Sequence, residues 1–201
     1  SLYIAHERRK YFVAQAYDPI SLKAAGDIKV LSSVYLPRDY EHIAENGHQE
    51  DIDEYENLYS FAFSNDSSKI LVCHNTHTQS KEQQRYTLSA FDQNLDSLWS
   101  AEASFPYQSK LFDLKDYHIS NLGKAYFLAK VYLNKRKETR RGKVNFEHHI
   151  ISVSPQGNIQ TDYLVENKRK HFGDLKLSID KAYNIICTGF FLIRKKTEGV
   201  V

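Results

Sequence analysis

The 201-residue sequence contains no methionine, two cysteines and eight glycines, and the glycines are scattered singly. Because position 1 is a serine, we expect the chain to be a processed form or an excised piece of a longer one. No apolar run approaches the roughly 18 residues that a membrane-spanning helix needs. No charged-then-apolar signal segment opens the sequence as given, from which an export signal or lipid anchor could have been removed. The formal net charge is only +2, so any electrostatic case for a partner must rest on a local cluster. The compartment and the oligomeric state are left open.

Motifs of catalysis and metal binding are also missing. The sequence has no Gly-x-Ser-x-Gly, no His-Glu-x-x-His and no glycine-rich phosphate loop. His74 and His77, like the adjacent pair His148 and His149, would point to opposite faces of a strand and have no third ligand nearby. The acidic segment 51–56 lacks the spacing of a calcium loop. The sequence therefore predicts no metal, no cofactor and no catalytic residue.

The composition favours a globular β protein. Hydrophobic residues make up 41% and aromatic residues 13% of the chain, which is too rich for a disordered segment. Fourteen tyrosines and eleven phenylalanines favour strands, because aromatic side chains fit a half-buried pleated surface. We therefore expect an all-β fold with a substantial core.

A strand–turn–strand block occurs three times and sets the architecture. The blocks are Phe61–Val72, Tyr117–Ala129 and Leu175–Cys187. A gapless alignment places one serine after each first strand, at Ser64, Ser120 and Ser178, with spacings of 120 − 64 = 56 and 178 − 120 = 58 residues. Phe61 and Phe63 alternate with Ala62, which predicts that Phe63 belongs to the core.

Further strands follow the first two blocks. Arg85–Phe91 and Leu95–Ala101 flank an Asp-Gln-Asn turn, and Phe146–Val153 and Ile159–Val165 flank a second turn. Four short antiparallel strands per fifty-odd residues is the plan of a β-propeller blade. The predicted divisions are a partial blade at 1–36, an acidic connector at 37–55, blades at 56–107 and 111–168, and a partial blade at 172–193. Propellers close with about four to eight blades, so we expect an incomplete propeller, part of a larger one, or an open sheet.

Two segments resemble known propeller repeats. Phe61–Val72 resembles the first-strand, turn, second-strand block of TolB-type propellers, and Phe91–Trp99 is similar to the third-strand, turn, fourth-strand block of quinoprotein-like propellers. The resemblance implies a propeller whose loops carry function. Because propeller enzymes assemble their sites from loops of several blades, a hydrolase or lyase is left open alongside a non-catalytic binding or scaffolding module. We favour the module.

The two cysteines occupy the same register of non-adjacent repeats, nine residues after Ser64 and Ser178. A disulfide requires Cα atoms within about 7 Å, and equivalent positions of non-adjacent repeats are expected to lie farther apart than that. We therefore favour free thiols over a disulfide and expect Cys73 and Cys187 to be small buried residues of strands.

One charged run stands out between the second and third strands of the middle repeat. Its six basic residues are Lys135, Arg136, Lys137, Arg140, Arg141 and Lys143. With Glu138 the run carries +5, so the rest of the chain carries 2 − 5 = −3. The run could bind a phosphate-bearing partner, or it could be a long loop kept soluble by its charge, which we favour. No aromatic residue inside it could stack on bases, so the pattern favours a protein, peptide or glycan ligand over nucleic acid.

Overall fold

The computed structural model describes residues 3–4, 9–35, 59–76, 81–133, 145–166 and 171–192. They form thirteen strands and one 3-10 turn, Ser109–Leu111. The strands are β1 (Tyr3–Ile4), β2 (Arg9–Ala14), β3 (Lys29–Tyr35), β4 (Tyr59–Phe63), β5 (Lys69–Thr76), β6 (Gln83–Asp92), β7 (Ser97–Gln108), β8 (Phe112–Ile119), β9 (Ala125–Tyr132), β10 (Phe146–Val153), β11 (Ile159–Leu164), β12 (His171–Ile179) and β13 (Ile185–Leu192). Within these residues, no helix has the length and apolarity needed to cross a membrane.

The strands pair with their chain neighbours into four antiparallel sheets. Two sheets are four-stranded, β4–β7 and β8–β11, and they are flanked by the three-stranded sheet β1–β3 and the two-stranded sheet β12–β13. The predicted all-β class with four-stranded antiparallel repeats is therefore confirmed.

The second strand of each complete sheet is buried on both faces, which explains its continuous apolar sequence. In β5, Leu71 and Cys73 join the core toward β8–β11, whereas Ile70 and Val72 join the core toward β1–β3. Alternate residues of a strand point to opposite faces, so an uninterrupted apolar run serves a strand covered on both sides.

Three apolar layers separate the four sheets. The largest lies between β4–β7 and β8–β11, where the fully buried rings of Phe105 and Phe127 meet edge to face with centroids 5.6 Å apart. The second layer holds Leu31 against Phe91, and the third holds Leu128 against Leu177. The sheets are therefore stacked face to face in chain order.

The first strands of successive repeats lie beside one another along one edge of the stack. The Tyr117 hydroxyl of β8 donates to the Phe61 carbonyl oxygen of β4 over 3.3 Å. The Leu177 N–H of β12 donates to the Asp116 carboxylate of β8 over 2.9 Å. This order of first strands is the one expected of neighbouring propeller blades.

Five hairpins contain the same four-residue turn, in which the fourth residue has a positive φ. The first residue accepts a hydrogen bond from the N–H of that fourth residue. This is a type I turn followed by a left-handed residue, which suits the twist of antiparallel strands. The first residues are Ser64, Asp92, Ser120, Ser154 and Asp180, and the left-handed residues are Ser67, Leu95, Gly123, Gly157 and Tyr183.

The turn chemistry corrects the alignment of the third repeat. Ser178 lies inside β12, and Asp180 occupies the position of Ser64 and Ser120. The predicted serine was wrong because an aspartate supplies the same acceptor: its carboxylate takes the backbone N–H of Asn184 over 2.8 Å. The side-chain and backbone donors of Asn184 lower the pKa of Asp180.

The predicted core position of Phe63 is wrong. Phe61 is 52% and Phe63 50% exposed, although both lie on the face of β4 that is directed toward β1–β3. In the described part of that sheet, Phe12 packs against Phe61, with ring centroids 5.7 Å apart. The alternation of β4 was read correctly, but burial depends on a neighbouring strand that the local sequence does not specify.

Both cysteines are free, as predicted. Cys73 is buried in the main core, and that burial raises the pKa of its thiol. Cys187 is partly buried against the third apolar layer, and burial raises its pKa as well.

Candidate functional site

The two ends of the sheet stack differ in their connections. At one end, the turn end, the sheets carry the short turns described above, and the Asp66 N–H and the Asn121 side-chain oxygen, 3.4 Å apart, link two of these turns. At the other end, the loop end, β3, β5, β9 and β11 finish and the strands that follow them begin. Segments 36–58, 77–80, 134–144 and 167–170, which join these strands, lie outside the described residues.

The predicted binding residues fall in the third of these segments. Lys135, Arg136, Lys137, Arg140, Arg141 and Lys143 lie outside the described residues, as does the acidic connector 37–55. The strands on either side of the basic run are described. The Leu133 N–H donates to the Asn145 carbonyl oxygen over 2.9 Å, which pairs the chain directly at the base of the run.

A cation and two aromatic rings flank this base, and with His148 we call them the root cluster. Tyr132 lies opposite Phe146 in the register of β9 and β10, and Lys130 lies opposite His148. The Lys130 Nζ is 3.9 Å from the Phe146 ring centroid and 5.5 Å from that of Tyr132. Since alternate strand residues share a face, the strand period alone brings these four side chains together.

Solvent exposure decreases through the root cluster from Tyr132 to His148. Tyr132 is 36% exposed, whereas His148 is buried, with its ring 5.3 Å from that of Phe146. Burial, reinforced by the charge of Lys130, lowers the pKa of His148. Its Nε2 has no hydrogen-bond partner among the described residues. The neutral imidazole of His148 therefore packs against Phe146 on the buried side of the aromatic pair, whereas Tyr132 is in contact with solvent.

A second polar cluster lies on the opposite face of β10. His149 Nδ1 is 2.7 Å from the Asp162 carboxylate and 3.1 Å from the Tyr107 hydroxyl. Tyr107 donates its own proton to the other oxygen of Asp162. Burial, and then the Asp162 carboxylate, raise the pKa of Tyr107. His148 and His149 therefore face opposite ways, as predicted.

The second cluster has the elements of an acid–base pair, but the second ring nitrogen of its imidazole is buried. His149 Nε2 is buried, has no hydrogen-bond partner among the described residues, and lies 3.6 Å from the Glu147 carboxylate. A general base needs an accessible nitrogen within hydrogen-bonding reach of substrate. The geometry instead fits a set of hydrogen bonds that links β7 of one sheet to β10 and β11 of the next. In the described part of the chain, no group of three or more His, Cys, Asp or Glu side chains is arranged for a metal ion.

Sequence reasoning missed both clusters, for different reasons. The root cluster had a signal, because Tyr132 and Phe146 bracket the basic run and Lys130 shares the strand period of Tyr132. The second cluster had no such sequence signal. Tyr107 and Asp162 lie 162 − 107 = 55 residues apart and come into contact only when two sheets stack.

These features define an all-β protein of stacked antiparallel sheets in which β3, β5, β9 and β11 finish at the same end. Compared with known proteins, the chain matches no family model, and no curated protein or solved structure is significantly similar to it.

Proposed function

We propose that the chain is a non-catalytic binding module of the β-propeller type, with a ligand site at the loop end for an acidic peptide segment of a partner protein. The observation that carries the proposal is the root cluster: a lysine and two aromatic rings at the base of a run with six basic residues. The propeller type is supported by the face-to-face order of the sheets and by the adjacency of their first strands.

Charge and aromatic surface act together at this site. The basic run carries +5 against −3 for the rest of the chain, so the attraction for an acidic segment is local to this run. Long-range attraction speeds encounter but adds little lasting affinity in salt. Aromatic anchors supply the short-range contact, and Tyr132 offers such a ring beside Lys130.

Binding of a fluorescent poly-glutamate peptide tests the proposal, with anisotropy measured at low and physiological salt. We expect affinity to fall at least about tenfold between 50 and 200 mM salt. Changing the six basic residues to glutamine should remove most of this salt dependence and leave only the contribution of Lys130. Tyr132→Ala should weaken binding about tenfold with the salt dependence kept, because it removes contact area without charge.

Tyr17→Ala is the matched control, since Tyr17 is also an exposed tyrosine but lies in the connection between β2 and β3 at the turn end. It should bind like the parent chain. Equal loss in the Tyr17 and Tyr132 variants would contradict a site at the loop end. Tight binding of heparin without binding of poly-glutamate would replace the peptide with a sulfated glycan.

A hydrolase or lyase is the second candidate, and the Asp162–His149 pair is the observation that favours it. Because the Nε2 of His149 is buried, we favour the binding module over the enzyme.

A further inference from the structure

Lys130 and His148 form a directly opposed pair of β9 and β10 within the root cluster. The strand period places Lys130 on the same face as Leu128, and His148 on the same face as Ile150. Leu128 and Ile150 both belong to the third apolar layer, between β8–β11 and β12–β13. Side chains directly opposed in an antiparallel pair have Cβ atoms about 4.5–5.5 Å apart. The pair therefore brings a cation and an imidazole together where this apolar layer approaches the loop end.

Lys130 is the cation of this pair that an acidic ligand would meet. Its Nζ lies over the ring of Phe146, 3.9 Å from the ring centroid. Within the described part of the chain it forms no ion pair with a carboxylate, whereas the nearby Lys115 is paired with Asp113. A carboxylate that arrives at the root cluster therefore neutralises Lys130 in preference to Lys115.

His148 lies on the buried side of the same cluster, where a charge is costly. It is 4% exposed, and its ring packs edge-on against Phe146 with centroids 5.3 Å apart. Its Nε2 has no hydrogen-bond partner among the described residues. A protonated histidine carries an N–H on both ring nitrogens. Protonation in the free protein would therefore bury an unpaired charge beside the cation of Lys130.

Ionisable groups on four strands act on His148. Burial, followed by the charge of Lys130 on β9, lowers the pKa of His148 most strongly. Asp174 on β12 acts in the opposite direction, whereas Lys115 on β8 and the adjacent His149 on β10 add smaller lowering effects. Lys130 is therefore the charged neighbour whose neutralisation would favour protonation of His148 most.

We propose that the root cluster binds its acidic segment together with a proton, which His148 takes from solvent when a ligand carboxylate pairs with Lys130. This inference rests on the proposed function, because it concerns the ligand of the same site. A carboxylate on Lys130 offsets the charge that opposes protonation of His148. By thermodynamic reciprocity, a proton on His148 then strengthens the binding of that carboxylate. Affinity for the acidic segment should therefore rise as the pH falls from neutral.

Anisotropy of a fluorescent poly-aspartate peptide, measured at constant salt between about pH 7.5 and about pH 5.5, tests this linkage. Aspartate has an ordinary pKa of about 3.9, so the probe keeps its charge over the whole range. We expect the affinity of the parent chain to rise about fivefold at the lower pH. In His148→Gln the gain should fall below about twofold, because glutamine takes up no proton. His118→Gln is the matched control, since His118 lies in β8 of the same sheet but at the turn end, and it should keep the gain.

NMR titration of the His148 ring protons tests the same linkage with the buried ring intact. Saturating poly-aspartate should raise the titration midpoint of His148 in the parent chain by about one pH unit, which corresponds to a tenfold coupling. Lys130→Gln should raise the midpoint without any peptide, because it removes the opposing charge. Adding the peptide to that variant should then change the midpoint little.

These measurements separate failure of the linkage from failure of the proposed function. If poly-aspartate does not bind at either pH, the proposed function is contradicted and the linkage is overturned with it. If the peptide binds equally tightly at both pH values, or if the gain persists in His148→Gln, only the linkage is overturned. A His148 titration midpoint that does not respond to Lys130→Gln would overturn it as well.

Discussion

Replacing Phe105 with alanine should lower the free energy of unfolding by about 3–5 kcal/mol. Phe105 is fully buried between the two four-stranded sheets, with ring centroids 5.0 Å from Phe112, 5.6 Å from Phe127 and 5.7 Å from Tyr86. Removing the ring leaves a cavity bounded by both sheets. Neither sheet can move to fill the cavity without breaking the pairing of its strands. Urea denaturation followed by fluorescence or circular dichroism measures the loss.

Leu122→Ala provides the comparison for Phe105. Leu122 is 79% exposed at a hairpin turn, so its truncation should change stability by less than about 0.5 kcal/mol. Similar losses in the two variants would mean that the main apolar layer does not lie between these sheets.

Gly157→Ala should destabilise the chain by about 3 kcal/mol or more, because two separate costs coincide there. Gly157 has φ +83°, where a β-carbon is strained. A β-carbon at this position would also lie 2.3 Å from the Glu102 carbonyl oxygen in β7 of the preceding sheet. Backbone must then move against backbone, and no flexible side chain can absorb the overlap.

Gly123→Ala isolates the first of these costs. Gly123 occupies the same position of the same turn with φ +82°, but a β-carbon there would meet its nearest neighbour, Trp99 Nε1, at an ordinary 3.8 Å. We expect a loss of about 1–2 kcal/mol, from the left-handed backbone alone. Chemical denaturation of the two variants compares them directly, and equal losses would contradict the close approach of the β10–β11 turn to β7.

Local structure was predictable wherever residues close together in the chain determine it. The strand period and the short polar turns follow from neighbours in the chain, and the structure has the strands and turns of the first block where they were expected. Ser178 and Asp180 were harder to distinguish, because both side chains can accept a turn hydrogen bond. Only the pairing of Ile179 with Ile185 shows that β12 continues past Ser178.

Burial and side-chain clusters depend on which sheets become neighbours. The pattern of β4 resembles that of the later repeats, yet Phe63 is half exposed and Ile119 is buried, because only the second has a complete sheet before it. The contact of Tyr107 with Asp162 likewise requires two stacked sheets. The root cluster was closer to prediction, since the pairing of β9 with β10 follows from the hairpin itself.

First strands of successive repeats lie side by side, and the Leu177 amide reports on this adjacency directly. Its N–H donates to the Asp116 carboxylate, 177 − 116 = 61 residues earlier in the chain. Hydrogen exchange followed by NMR should show this amide protected in the parent chain. Protection should be lost in Asp116→Ala and largely kept in Asp116→Asn, which retains an acceptor oxygen. A Leu177 amide that exchanges equally fast in all three proteins would contradict the claim.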